Sequence, residues 1–278
     1  MKNKFLLKIG IILCLVGIVF FSIYPPLYER FTAKDSYYSH GFLVPFICLF
    51  LIWRKRKVIK NLFPPYPCKQ GLILLICGLL LHSISFFLKF NFGSYIALVI
   101  VLLGISLYLL GRKITRQLLF PIFFLIFMLP LPKVLIIGIS FKMKMIVAKA
   151  SSLILNIVIP NVQRGSTIYL PNDSLMIGDP CSGLRSLISL LTLGTLATQF
   201  ISGGKGKKLF LLALTVPIAL ISNIIRIILL LIVTYVYGKK VALGFFHDLS
   251  GFLTFAFAFL CLWAIVKVLK CLPLVENS

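Results

Sequence analysis

A thiol, an imidazole and a guanidinium that could work together stand far apart in this sequence, at Cys181, His247 and Arg226. Cys181 belongs to Asp179-Pro-Cys-Ser-Gly-Leu-Arg-Ser186, just ahead of an apolar stretch. There Asp179 fits a helix N-cap and Pro180 the first helical position, where a missing N–H costs nothing. Cys181 is then expected in the first turn, where unpaired N–H groups and the helix dipole favour a thiolate. Arg185 follows four residues on, one turn deeper on the same face, and adds positive charge. His247-Asp248 precedes the last apolar stretch, and histidine is one of the few side chains that shuttle protons near neutral pH. Arg226 lies three residues after Asn223 in Ile221-Ser-Asn-Ile-Ile-Arg-Ile227, so the two share a helix face. A thiol, its base and a guanidinium for a developing oxyanion suit acyl transfer from a peptide bond. In Asp35-Ser-Tyr-Tyr-Ser-His-Gly41, His40 opens another apolar run and is a candidate to line the same cavity.

Each group also has a plainer reading. Cys181 could be a structural thiol, as most of the other six cysteines must be inside their apolar runs. Arg226 could snorkel to headgroups, and His247 could be a loop histidine bonded to backbone. The polar, capping neighbours of Cys181 argue against the first. Asn223 beside Arg226 argues against the second, and the arrival of all three groups at one membrane face argues against the third. No close Cys-x-x-Cys pair occurs, so neither a metal centre nor a disulfide framework is expected, and no cofactor is called for.

The elements that must bring these residues together are membrane helices. Of the 278 residues, 60% are hydrophobic and 13% charged, with a mean hydropathy of +1.07. A water-soluble domain of this size cannot hide that much apolar surface, whereas lipid solvates it. Eight apolar runs are legible, at 5–24, 41–53, 71–88, 92–110, 117–130, 182–200, 208–235 and 249–268. The first is read as a retained helix, because Pro25 and Pro26 follow it where a signal peptide has small residues. The net charge of +23 would suit a nucleic-acid binder, but the positive residues sit in short runs between apolar stretches, as orientation in a membrane produces. No nucleic-acid partner is expected; the partner is the lipid bilayer.

Charge sets the orientation. Residues 54–60, 112–116 and 205–208 form basic inner loops; Lys2, Lys4 and Lys8 mark an inner amino terminus, and Lys267 and Lys270 an inner carboxy terminus. Residues 133–159 carry Lys133, Lys142, Lys144 and Lys149 among apolar residues and read as an amphipathic helix on the surface. Lys142, Lys144 and Lys149 then lie on the outer face as an exception. The expected fold is all-α and polytopic, one domain over 1–278 with about eight transmembrane helices and both ends cytoplasmic. On the outer side, short β-branched stretches around Gly165 and residues 171–173 predict a small strand pair. Arg226, ~27 Å along its helix from Lys208 at the inner surface, reaches the outer edge of the hydrocarbon, level with Cys181 and His247.

These motifs, in this order, resemble those of the exosortase/archaeosortase family of multi-pass membrane cysteine transpeptidases. The resemblance runs from Tyr38-Ser-His-Gly41 and Leu51-Ile-Trp-Arg-Lys55, through Phe127-Met-Leu-Pro-Leu-Pro132, to His247-Asp-Leu-Ser-Gly251. The family's nucleophile motif matches Cys181-Ser-Gly183 and its arginine motif Asn223-Ile-Ile-Arg-Ile227. Its basic residue before the last helix matches His247, as in the bacterial exosortase branch. The resemblance implies catalytic roles for Cys181, Arg226 and His247, with Arg185, Asn223, His40 and Asp248 supporting them or lining the substrate. It implies as substrates exported proteins whose C-terminal sorting tail has a short motif, a transmembrane helix and a basic cluster. Such a tail would be cut at the outer face of the cell membrane, and the protein passed through a Cys181 thioester to a surface acceptor. The chain is expected to lack the additional C-terminal domain that some bacterial members carry. Two rival classes are a transporter and a non-catalytic subunit of polysaccharide or protein export. Against the transporter, no line of polar residues crosses from face to face. A non-catalytic subunit would tolerate loss of Cys181.

Overall fold

The computed structural model describes residues 2–33 and 36–271. The side chains of Lys2, Lys4, Lys8, Asp35 and Lys270, and the end at Ser278, lie outside it. In chain order the helices are α1 Lys2–Val19, α2 Tyr24–Thr32, α3 Leu43–Arg54, α4 Arg56–Asn61, α5 Gln70–Phe87, α6 Asn91–Phe124 and α7 Lys133–Leu155. Three short strands follow, β1 Val162–Arg164, β2 Thr167–Tyr169 and β3 Ser174–Met176. The last helices are α8 Leu184–Ala197, α9 Lys205–Tyr237, α10 Lys239–Leu243 and α11 Phe245–Cys271. This is a polytopic helical membrane protein, as its composition requires.

Each of the eight apolar runs is helical over most of its length. By length and composition, four helical segments among the described residues can cross a membrane: Gln70–Phe87, Asn91–Met128, Lys205–Tyr237 and Phe245–Leu269. The bent pair Gly10–Val19 and Phe21–Thr32 makes a fifth if taken as one span, and Ser39–Arg54 and Leu184–Ala197 are shorter apolar helices. The runs 92–110 and 117–130 share α6, yet Gly111 inside it has φ 73° and ψ 177°, which is not helical. Glycine adopts that geometry without steric cost, so the helix breaks beside Arg112 and Lys113, where a basic loop was expected. At 1.5 Å per residue α9 is ~50 Å long, well beyond a ~30 Å hydrocarbon core.

The chain forms two compact units, Met1–Pro132 and Lys133–Ser278. In the first, α5 and α6 touch through glycines: a Cβ on Gly71 would lie 2.2 Å from the Tyr108 nitrogen, and one on Gly104 2.6 Å from the Leu75 nitrogen. Small residues let membrane helices pack backbone to backbone in this way. Its core gathers Phe20, Ile23 and Leu27 around Tyr95, Ala97, Val99 and Val101 of α6. The Tyr38 hydroxyl accepts the Leu131 N–H at 3.0 Å, and His40 is hydrogen-bonded to the Phe127 backbone.

The second unit holds α7 to α11 and the sheet. The sheet is a meander in the order β1-β2-β3, antiparallel throughout, with Gln163 opposite Ile168 and Ile168 opposite Leu175. The expected strand pair is thus three strands, turning at Gly165 and again at residues 171–172. One face is buried: Ile168, Leu175 and Ile177 pack with Val147, Ala148 and Leu155 of α7 and Ile227, Leu230 and Leu231 of α9. A second core joins Leu190 of α8 to Leu211 and Ala219 of α9 and Ala258 and Leu262 of α11. The helix expected at 133–159 forms over Lys133–Leu155, with Lys133, Lys142 and Lys149 exposed.

Candidate active site

Cys181 does not sit in an α-helix. Residues Asp179–Cys181 make a single 3-10 turn, and α8 starts only at Leu184, with Gly183 as its N-cap at φ 82°. The expected cap at Asp179 is absent, and Cys181 and Arg185 therefore do not share a helix face. The cause is competition for the Asp179 carboxylate. It accepts hydrogen bonds from Lys144 Nζ at 2.7 Å and Ser140 Oγ at 3.1 Å, both on α7. That Lys144 bond, with the Ser140 hydroxyl helping, holds the Asp179 carboxyl below its usual range. Lys144, one of the three lysines expected as exceptions to the charge rule, thus has a local anion.

Because folding lowers this pKa, the clasp contributes stability above the ordinary aspartate value of about 3.9 and loses it as pH falls through the lowered one. Asp179 is largely exposed, so the effect is small. Asp179→Asn is expected to lower the thermal midpoint slightly at neutral pH and to flatten the acid loss of stability. A melt series from neutral pH down to about 3 reads both. Identical acid slopes in the two proteins would remove the clasp from the account.

Gly183 is required by its surroundings as well as its dihedral. A Cβ there would meet Asn223 Cγ at 2.7 Å. The same Asn223 side chain donates from Nδ2 to the Cys181 carbonyl at 2.9 Å, tying the turn to α9. Gly183→Ala is expected to displace this amide and to remove most activity. Gly165→Ala carries a similar backbone cost at φ 61° but meets nothing within 4 Å, and should be much milder. Comparing the variants at equal abundance in membranes tests this; equal losses would mean that backbone strain alone matters.

His247 stands at the start of α11, and its Nε2 lies 3.0 Å from Cys181 Sγ. Its Nδ1 is 3.1 Å from Asp248 Oδ1. Asp248 is exposed, so it orients the ring without burying a charge. With Nδ1–H directed to Asp248, Nε2 carries the lone pair that faces the thiol.

Arg226 of α9 completes the cluster. Its Nη2 donates to the His247 carbonyl at 3.0 Å and lies 3.2 Å from His247 Nε2. Its Nε donates to Ser250 Oγ at 3.3 Å, and Ser250 in turn donates to the His247 carbonyl at 3.0 Å. A Cβ on Gly251 would come within 3.1 Å of Nη2, so a residue without a side chain lets the guanidinium lie against α11. Cys181, Asn223 and Arg226 are 6%, 3% and 8% exposed. The structure therefore joins Cys181, Asn223, Arg226, His247 and Asp248. Arg185 is half-buried in the first turn of α8, and His40 belongs to the other unit.

Sequence reasoning gave Ser250, Gly251 and Lys144 no role at the site, although the first two close the motif that begins at His247. The first two follow His247 by three and four residues, one helical turn, a spacing that could have drawn attention to them. Nothing in the sequence pairs Lys144 with Asp179.

A buried thiol against an imidazole, with a guanidinium at the same nitrogen, can deprotonate sulfur and stabilise the negative charge that follows. Comparison with known proteins bears on this. No curated protein and no solved structure matches the chain. The family described as transmembrane exosortase (Exosortase_EpsH) matches it over residues 28–264, a stretch that holds every residue of the cluster. The chain belongs to the transmembrane exosortase family.

Proposed function

We propose that this protein is a membrane-embedded cysteine transpeptidase that removes C-terminal sorting tails from exported proteins. Its family is one of transpeptidases that process sorting signals. The observation that carries the reading is the 3.0 Å approach of Cys181 Sγ to His247 Nε2, with Asp248 on the opposite ring nitrogen.

In the proposed reaction His247 takes the thiol proton and the sulfur attacks the carbonyl carbon of the scissile peptide bond. Arg226 stabilises the negative charge that passes from sulfur to carbonyl oxygen. His247 then returns the proton to the departing nitrogen, which leaves with the transmembrane helix and basic cluster of the tail. The remaining protein is held as a thioester on Cys181 until an amine of a surface acceptor, or water, displaces it. The basic inner loops support a site at the outer face of the cell membrane with both termini in the cytoplasm.

Co-expression with a reporter carrying an extended segment, a transmembrane helix and a basic cluster at its C-terminus tests the reading. A shortened reporter is expected only when the protein is present. Abundant protein with an unshortened reporter would count against processing and for the transport class.

A further inference from the structure

One edge of the small sheet leads directly to the thiol. β3 is an outer strand, paired among the described residues only with β2. The Leu170 N–H donates to the Asp173 carbonyl at 2.8 Å, and the Ile177 N–H to the Ser166 carbonyl at 2.9 Å. With Leu175 opposite Ile168, residues 173, 175 and 177 turn their backbone groups toward β2, and 174, 176 and 178 turn theirs outward. Side chains follow the same alternation: Leu175 and Ile177 are buried, whereas Met176 is exposed. Of the outward groups, the Ser174 N–H is taken by Asp173 Oδ1 at 2.7 Å, and the Gly178 carbonyl by the Cys181 N–H at 3.1 Å. Among the described residues no protein group bonds the Met176 N–H, the Met176 carbonyl or the Gly178 N–H. Two donors and an acceptor, at strand spacing, thus face outward within five residues of the nucleophile.

Edges of this kind recruit an extended chain. The chemistry of the site calls for one, because a helical carbonyl is already bonded within its helix and is shielded from attack. At the far end of β3 a cavity of about 650 Å³ is lined by Asp173, Gly238, Lys239 and Lys240, leaving room for a chain to run on. Resting on the transpeptidase reading, we propose that β3 is the docking edge for the substrate. The residues flanking the scissile bond add as a fourth strand along Met176 and Gly178, and this strand presents its carbonyl to Cys181. Recognition at this edge is through backbone, so it orients many sequences alike.

Gly178 allows a clean test. Its φ of −76° and ψ of 176° suit proline, and a Cβ there meets only Pro180 Cδ, at 3.6 Å. Gly178→Pro removes the N–H, while Gly178→Ala keeps it. The proline variant is expected to process the tailed reporter at about a tenth of the alanine variant's rate, the worth of one lost backbone hydrogen bond. Alkylation of Cys181 by iodoacetamide should be equal in the two, showing an undisturbed turn. Equal processing by both would overturn the proposal.

A second measurement does not depend on that variant. In a Cys181→Ala background, Met176→Cys is oxidised with reporters that carry single cysteines along the segment flanking the cut. Disulfides at alternate positions are expected, because neighbouring strands pair every second side chain. Cross-links at every third or fourth position, or at all positions alike, would overturn the proposal. Should Gly178→Pro fail to accumulate, the cross-link pattern alone decides. Failure of the transpeptidase reading would show separately, as a reporter that Cys181→Ala still shortens.

Discussion

Replacement of Cys181 by alanine or serine is expected to lower processing of a tailed reporter by a factor on the order of 10³ or more, as loss of a nucleophile does in other acyl-transfer enzymes. Serine keeps the shape of the side chain and its contact with His247. Its hydroxyl is far harder to ionise than a thiol, so an imidazole at 3.0 Å should not activate it to the same degree. The other described cysteines serve as controls in the same fold. Cys14 and Cys77 are exposed, Cys68 and Cys261 partly so. Cys48 is buried, and its Sγ donates to the Pro121 carbonyl at 3.2 Å. Alanine at Cys48 should cost ~1–2 kcal/mol of stability and leave processing intact. Processing at near wild-type rate by Cys181→Ser would remove the thiol from the mechanism.

The second large effect is expected at Arg226. Its guanidinium reaches Ser250 Oγ through Nε, and through Nη2 the His247 carbonyl and the neighbourhood of Nε2. A lysine carries the same charge on a single nitrogen and cannot span these partners at once. Arg226→Lys should therefore keep a cation near the site but lose the brace that sets His247 against Cys181. A loss on the order of 10²-fold in thioester formation is expected, the usual worth of one transition-state donor. Arg185→Lys should retain substantial activity, because a point charge in the first turn of α8 suffices for an electrostatic role. Trapping rates in membranes, normalised to the abundance of each variant, separate the two. Equal, mild losses would show that Arg226 supplies only charge or anchorage.

How far the sequence carried differs from residue to residue. Hydropathy and basic loops were enough to put Cys181, Arg226 and His247 at one level, because Cys181 and His247 open their apolar runs and Arg226 lies ~27 Å along a run that starts from the opposite, basic side. That Asn223 and Arg226 share a face followed from their three-residue spacing. Local structure around the thiol was misread for a physical reason. Asp-Pro-Cys has the composition of a helix start, but Lys144 and Ser140 take the carboxylate that would have capped it. Gly183, packed on Asn223 at positive φ, then restarts the chain as α8. A partner 35 residues away leaves no trace in a local pattern. The third strand escaped because Ser174–Met176, as short as the other two, lacks the β-branched side chains that mark them. The break at Gly111 was legible, since a glycine beside a basic pair interrupts an apolar run.

The most direct test of the account is mass spectrometry of the enzyme trapped with a tailed reporter. One covalent adduct is expected, on the peptide that contains Cys181, with the mass of the reporter peptide that ends at the cut, joined through its carbonyl as a thioester and released by hydroxylamine. Turnover of the reporter with the adduct on another residue, or with no adduct and undiminished in Cys181→Ala, would contradict the account.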